Sequence, residues 1–267
     1  MNLNKALFFV LAFAACCFCC AAETAATVGE CPHGDMESNC QYTRQKLFDY
    51  MLFVQTWQGS FCADGCCTVP QRGVVPPTGF SIHGLWPEYF DGTYPSCCSN
   101  NVTRKLIDRA LAQDPHLRVA LDMYWPAVKR CRFVRYETEK HGSCAAAVYG
   151  GNETGMQNYW RAALTLRRRF DVEQALTIAG VVPSATTLYG AESVRRTLSK
   201  YVGHRVNVVC QAGTTIDEVH ICVDRPCTLT QQLSPVIIDC PTQDTSCNAK
   251  VKLLPRPVFR TSGGCKD

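Results

Sequence analysis

The sequence predicts a single α+β domain: a central, mainly antiparallel sheet packed with several helices and reinforced by disulfides. Three observations predict it. Strand-like alternation and helix-like spacing are interspersed along 267 residues with no regular β–α–β succession. The chain is long enough to bury a sizeable core, so cross-links would reinforce a fold rather than replace one. Nineteen cysteines are present, four of them (Cys16, Cys17, Cys19, Cys20) inside an apolar leader, which leaves fifteen behind it.

Lys5, the apolar run 6–15 and the small residues Ala21 and Ala22 give residues 1–22 the pattern of a secretory signal. No later stretch is apolar for eighteen residues, so no stable membrane association is expected. Fifteen cysteines behind a signal imply an oxidising compartment and several disulfides. The sequons Asn101-Val-Thr and Asn152-Glu-Thr agree with that route. The net charge of +4 is too small to identify a nucleic-acid partner.

Residues 23–45 read as an irregular leader whose Cys31 and Cys40 could pair with each other or with Cys265. The domain is expected over 46–250, followed by a tail, 251–267. Alternation from Phe48 to Gln55 predicts a strand. A Cys- and Pro-rich loop over 62–79 leads to a short strand, 80–83, with Ser81 and His83 on one face and Phe80 and Ile82 on the other. Residues 101–112 have helical spacing. Asp114-Pro115 caps and opens a second helix, which Trp125-Pro126 stops. Further helices are expected over 158–170 and 191–202, the latter ended by Gly203. Residues 206–210, 219–223 and 236–239 read as strands.

Two segments carry chemistry-bearing side chains. In Phe80-Ser-Ile-His83-Gly-Leu-Trp86-Pro-Glu88, an imidazole stands beside a bend at Gly84 and near an indole able to stack on a base. In Glu137-Thr-Glu-Lys140-His141-Gly-Ser-Cys144, Glu137, Lys140 and His141 share one side of a helix that Gly142 is expected to end. No paired CxxC knuckle or zinc-spaced Cys/His cluster occurs, and no metal or cofactor is expected.

These two segments resemble the active-site segments of the T2-type acid ribonucleases. Residues 53–62, Cys66-Cys67, 91–95, Trp125-Pro126 and 221–224 fall in the family's order. The similarity spans about Leu47 to Cys247 and lies nearest the plant-type, non-self-incompatibility branch. It implies an endoribonuclease that cleaves single-stranded RNA without metal, leaving 2′,3′-cyclic phosphate ends, with an acidic optimum and no action on DNA. His141 is implied as base, His83 as acid, Lys140 as the cation on the phosphate, and Glu137 as bonding to or orienting the phosphate-facing groups. Trp86, Glu88 and Tyr94 are implied around one base, and Phe133 as a wall of a second base site. Tyr136 stands where relatives often carry a phosphate-binding histidine, which implies a weaker phosphate grip. Thr138 replaces an aromatic, thinning the expected base-binding wall.

The resemblance implies disulfides Cys62–Cys66, Cys67–Cys131, Cys98–Cys144, Cys210–Cys247 and Cys222–Cys240, with Cys97–Cys144 an equal rival of the third. Cys31, Cys40, Cys97, Cys227 and Cys265 are left unassigned. A monomer in the extracellular space or vacuole is expected, the odd cysteine leaving a disulfide dimer open. The alternative is a weak or inactive relative serving as a storage or binding protein. Such a protein would be expected to lack one of the two histidines. A disulfide-rich recognition module explains the cysteines but neither segment.

Overall fold

The computed structural model describes residues 40, 45–69, 74–98, 101–129 and 131–261. The predicted signal 1–22, Cys31 and Cys265 lie outside them. The described chain runs β1 (Tyr50–Trp57), α1 (Gln58–Phe61), β2 (Phe80–Glu88), α2 (Arg104–Gln113), α3 (Pro115–Tyr124) and α4 (Phe133–Glu137). A π-helical turn (Thr138–Gly142) leads into α5 (Ser143–Tyr149). Then come α6 (Glu153–Arg169), α7 (Val172–Ile178), β3 (Tyr189–Gly190), α8 (Ala191–Val202), β4 (Asn207–Gln211), β5 (Thr215–Asp224), α9 (Leu229–Leu233), β6 (Ile237–Ile238) and β7 (Lys250–Val251). The predicted α+β class is observed.

The main sheet has the order β2-β1-β5-β4, all antiparallel, with β6 added to β5. Its two faces differ in chemistry. Met51, Phe53 and Trp57 of β1, Phe80, Ile82 and Leu85 of β2, and Val219, Ile221 and Val223 of β5 are buried in one apolar cluster with α2, α5, α6, α7 and α8. The opposite face carries Thr56 and Val54 beside Glu218 and His220, and Leu52 beside Cys222 and Trp86.

The helices start where the sequence offers caps. The side chains of Thr103, Asp114, Asn152 and Asp171 each accept a backbone N–H from the first turn of α2, α3, α6 and α7, each worth about 1 kcal/mol. Asn152 sets the start of α6 at Glu153, five residues ahead of the predicted 158; α7 has no counterpart among the predicted elements. The predicted tail packs against the domain: Leu253 is buried, Leu254 C=O accepts the Trp57 indole N–H, and Thr68 bridges to Arg260.

The disulfides correct part of the expectation. Cys98–Cys144, Cys210–Cys247 and Cys222–Cys240 are present as expected. Cys62 pairs with Cys67, not Cys66, which excludes both Cys62–Cys66 and Cys67–Cys131. Cys66 and Cys131 are each disulfide-bonded. Cys97 pairs with Cys40, which removes the Cys97–Cys144 rival and the suggested Cys31–Cys40 and Cys40–Cys265 pairings. In the Cys66-Cys67 and Cys97-Cys98 doublets one residue's choice of partner decides its neighbour's, and sequence order alone does not choose. Cys227 is a free, exposed thiol.

Candidate active site

His83 stands on a β-bulge. Val54 pairs with Gly84 and Gln55 with Ile82, so His83 is one residue more than β1 can match. A bulge re-aims the side chains on its strand. Before it, Ser81 and His83 face the polar side; after it, Gly84, Trp86 and Glu88 do. His83 and Trp86, three residues apart, therefore touch on one face, with ring centroids 4.9 Å apart at an edge-on angle of 78°. Gly84 is required beneath the indole, since a Cβ there would lie 1.9 Å from Trp86 Nε1.

The second segment packs against this edge strand. Gly142 does not end the helix as expected; the helical run continues from Phe133 to Tyr149 through the π turn. The Ser143 N–H reaches back five residues to Thr138 C=O, and such turns recur at functional sites. The Lys140 carbonyl accepts the backbone N–H of Cys97 at 2.7 Å, and Ser143 Oγ accepts that of Cys98. With Cys98–Cys144 and Cys40–Cys97, these bonds fasten the 95–98 loop to the turn that carries Lys140 and His141.

The two segments meet at Trp86. Its indole N–H donates to Glu137 Oε2 at 2.7 Å, and its ring lies 5.2 Å from His141. Tyr94, half-exposed, has its ring centroid 5.8 Å from that of His141, and Phe133 lies 5.5 Å from His83. Lys140 Nζ is 5.7 Å from the Tyr136 ring. The predicted residues His83, Trp86, Tyr94, Phe133, Glu137 and His141 are thus joined by direct contacts, with Lys140 and Tyr136 adjoining. Glu88 continues the Trp86 face of β2 and is buried. Thr138 faces the core instead: its hydroxyl accepts the Trp160 indole N–H and donates to Val134 C=O. An aromatic at that position would thus not widen the base-binding wall.

Two residues absent from the predicted site adjoin His83. Glu218 of β5 accepts from His83 Nδ1 with one oxygen and from His220 Nε2, at 2.8 Å, with the other. The signal lies in the sequence: Glu218 and His220 alternate with Val219 and Ile221, placing two polar groups on one face of a central strand.

The titratable groups split in opposite directions. Burial pushes His141 down to about 3, aided by the Lys140 and His83 cations, and its Nδ1 is buried with no hydrogen-bond partner among the described residues. Burial also works against a charged His83, but Glu218, with Glu137 and Asp217 behind it, outweighs burial and raises its pKa. Burial is likewise overcome at Glu218, where the bonds from His220 and His83 hold the carboxyl at about 2. Burial raises Glu137, opposed by His83, the Trp86 N–H and Lys140. Burial raises Glu88 to about 8. The site thus sets one imidazole lowered and one raised around an aromatic wall.

The Ribonuclease T2 family model matches residues 48–240. The chain belongs to that family. It is 35% identical to Ribonuclease 1 of Arabidopsis thaliana, over 67% of this chain and 76% of that protein. Identity to Intracellular ribonuclease LX of Solanum lycopersicum is 30%, over 80% of this chain and 86% of that protein. The crystal structure of RNase NT in complex with 5′-AMP superposes with a TM-score of 0.61 at 30% identity, covering 79% of this chain and all of that one. This T2 ribonuclease is thus a plant-type, RNA-cleaving endoribonuclease. The two segments that carry His83 and His141 lie within the matched span.

Proposed function

We propose that this T2 ribonuclease cleaves single-stranded RNA by transphosphorylation, with His141 as base and His83 as acid. The observation that carries the assignment is the contrast between two imidazoles that both contact Trp86: His83 Nδ1 is held by the Glu218 carboxylate, whereas His141 Nδ1 is buried with no partner among the described residues; divergent environments of paired titratable groups mark acid and base. Neutral His141 takes the proton of the ribose 2′-hydroxyl, and the 2′-oxygen attacks the adjacent phosphorus. The bond to the 5′-oxygen breaks, and His83 gives that oxygen its proton. The products are a 2′,3′-cyclic phosphate and a 5′-hydroxyl. Lys140 offsets charge on the phosphorane, and Glu137, held by Trp86, orients the groups around it.

Trp86 and Tyr94 offer faces for one base and Phe133 for a second. Glu88 is protonated through the acid and neutral range, so its carboxyl can donate to a base as well as accept from it. Since the nucleophile belongs to the ribose, DNA is not a substrate, and no metal takes part. The signal, the disulfides and the exposed sequon residues Asn101 and Asn152 support a glycosylated protein, secreted or vacuolar, and the exposed Cys227 thiol leaves a disulfide dimer open as well as a monomer. No helix among the described residues is long and apolar enough to cross a membrane. Residues 1–22 are proposed as the signal, 23–45 as the leader, 46–250 as the catalytic domain and 251–267 as its C-terminal extension.

The test is incubation of the mature protein with RNA in EDTA between about pH 4 and 8, the span in which imidazoles titrate. Cleavage with 2′,3′-cyclic ends, lost in His83→Ala and in His141→Ala, is the expected result. Retained activity in either variant, or abolition by chelation, overturns the mechanism. A protein that bound RNA without cutting it would instead be the storage or binding alternative.

A further inference from the structure

Among the described residues, the charged side chain hydrogen-bonded to His83 comes from β5, outside both active-site segments. Glu218 takes the Nδ1 hydrogen of His83 on one carboxylate oxygen and the Nε2 hydrogen of His220 on the other. All three side chains lie on one face. Val54 pairs with Gly84 on one side and His220 on the other, and Thr56 pairs with Ser81 and Glu218. Glu218 and His220 are largely covered, at 14% and 15% side-chain exposure, whereas His83 keeps 28%. The innermost group is thus a carboxylate with both oxygens occupied, and the outermost is the imidazole.

We propose that Glu218 and His220 are positioning residues for His83: the Glu218 carboxylate fixes the ring with Nδ1 protonated and inward, leaving Nε2 to serve the substrate, and His220 holds the carboxylate in place. The proposal rests on the reading of His83 as the proton donor. An acid in this reaction must be charged before the step, must present one defined nitrogen, and must recover its proton afterwards. A fixed carboxylate behind the ring supplies the first two conditions and eases the third. The other titratable groups around His83 are Glu137 and His141 from the helical run and Asp217 from β5; Lys140 acts on Glu137 and His141. Glu137 is held to Trp86, and Asp217 acts on His83 only through its field. Glu218 is therefore the acidic group placed to set both ring orientation and charge.

The experiment combines 15N NMR of the histidines with pH profiles of kcat/KM, on the full mature chain and on Glu218→Gln, Glu218→Asp, His220→Gln and His83→Ala. An opposite charge in contact moves a titration midpoint by about 1–3 pH units. In Glu218→Gln the His83 midpoint is expected to fall by about one pH unit or more. The alkaline limb of kcat/KM should move with it, and kcat should fall about tenfold or more with KM little changed. Glu218→Asp should recover part of both effects, and His220→Gln should show a smaller change in the same direction. A folded Glu218→Gln with unmoved midpoint and unmoved alkaline limb overturns the proposal. If that variant does not fold, an unmoved midpoint in His220→Gln overturns it. Activity retained in His83→Ala would instead remove the acid role of His83, while the His83 midpoint still decides whether Glu218 governs the ring.

Discussion

The indole N–H of Trp86 donates to Glu137 Oε2 at 2.7 Å and joins the edge strand to the helical run across 51 residues of chain. The carboxyl it meets is 3% exposed, so the bond replaces water that Glu137 has lost.

Trp86→Phe keeps an aromatic ring but removes the donor. Hydrogen bonds to charged groups are worth about 1.5–3 kcal/mol, and stability should fall by that order in urea melts. A fall in kcat/KM of about tenfold to a hundredfold should accompany it, because Glu137 loses its fixed position. A Phe variant with wild-type kinetics would show that the bond is dispensable to the site.

Gly84→Ala tests the same contact from below. The added methyl would overlap Trp86 Nε1, so the indole must lift away from Glu137. A loss of about 1–3 kcal/mol is expected from overpacking. Loss of activity should match that of Trp86→Phe, with little further loss in the double variant. Full additivity would show that the two changes act separately.

In the proposed mechanism the rate depends on a neutral His141 and a charged His83. His141, pushed down to about 3, stays neutral until the pH falls through that value. His83, raised above the ordinary imidazole range, keeps its proton as the pH rises past 6.5. The kcat/KM profile on RNA should thus be a broad bell, with its acid limb near pH 3 and its alkaline limb above pH 6.5. An acid limb near pH 6 would contradict the burial described for His141.

Glu88 links pH to stability. Its folded value near 8 exceeds the ordinary 4.5, so the folded state holds the proton more tightly. That contribution is fully present below about pH 4.5 and is lost as the pH rises through 8. Glu88→Gln should therefore gain on the wild type as the pH climbs from 5 to 8, by up to about 1.4 kcal/mol per pH unit. Denaturant titrations at the two ends of that range measure it. A constant difference between the two proteins would mean that Glu88 is solvated.

Tyr136→His would restore a titratable ring beside Lys140, whose Nζ lies 5.7 Å from the present phenol. An imidazolium adds a second cation for phosphate, and mononucleotide Kd should fall about threefold to tenfold below pH 6. Calorimetry at pH 5 and 8 separates a charge effect, seen only at pH 5, from a packing one.

Much of this is legible in the unfolded chain. The two histidine segments, the antiparallel class and three disulfides follow from local pattern or from the family resemblance. What escapes depends on register and on long-range pairing. Alternation over 80–83 places His83 correctly but cannot reveal the extra residue that brings Trp86 to the same face. Glycine at 142 reads as a helix end. In the fold it sits against Thr138 and Tyr159, where an added Cβ would lie 3.0 and 3.1 Å from their side chains. Glu218 and His220 lie more than 130 residues beyond His83, and only the pairing of β1 with both β2 and β5 brings them to it.

The bulge at His83 means that the His-Gly-Leu-Trp sequence is not a portable unit. Grafted onto a regular strand of another protein, an imidazole and an indole three positions apart would point to opposite faces, one towards solvent and one into the host's interior. A transplant must carry the strand partner that leaves one residue unmatched, and the neighbouring strand that receives the imidazole. The smallest transferable piece of this site is therefore a three-stranded patch of sheet, and a search for similar chemistry in other folds should compare strand registers before it compares letters.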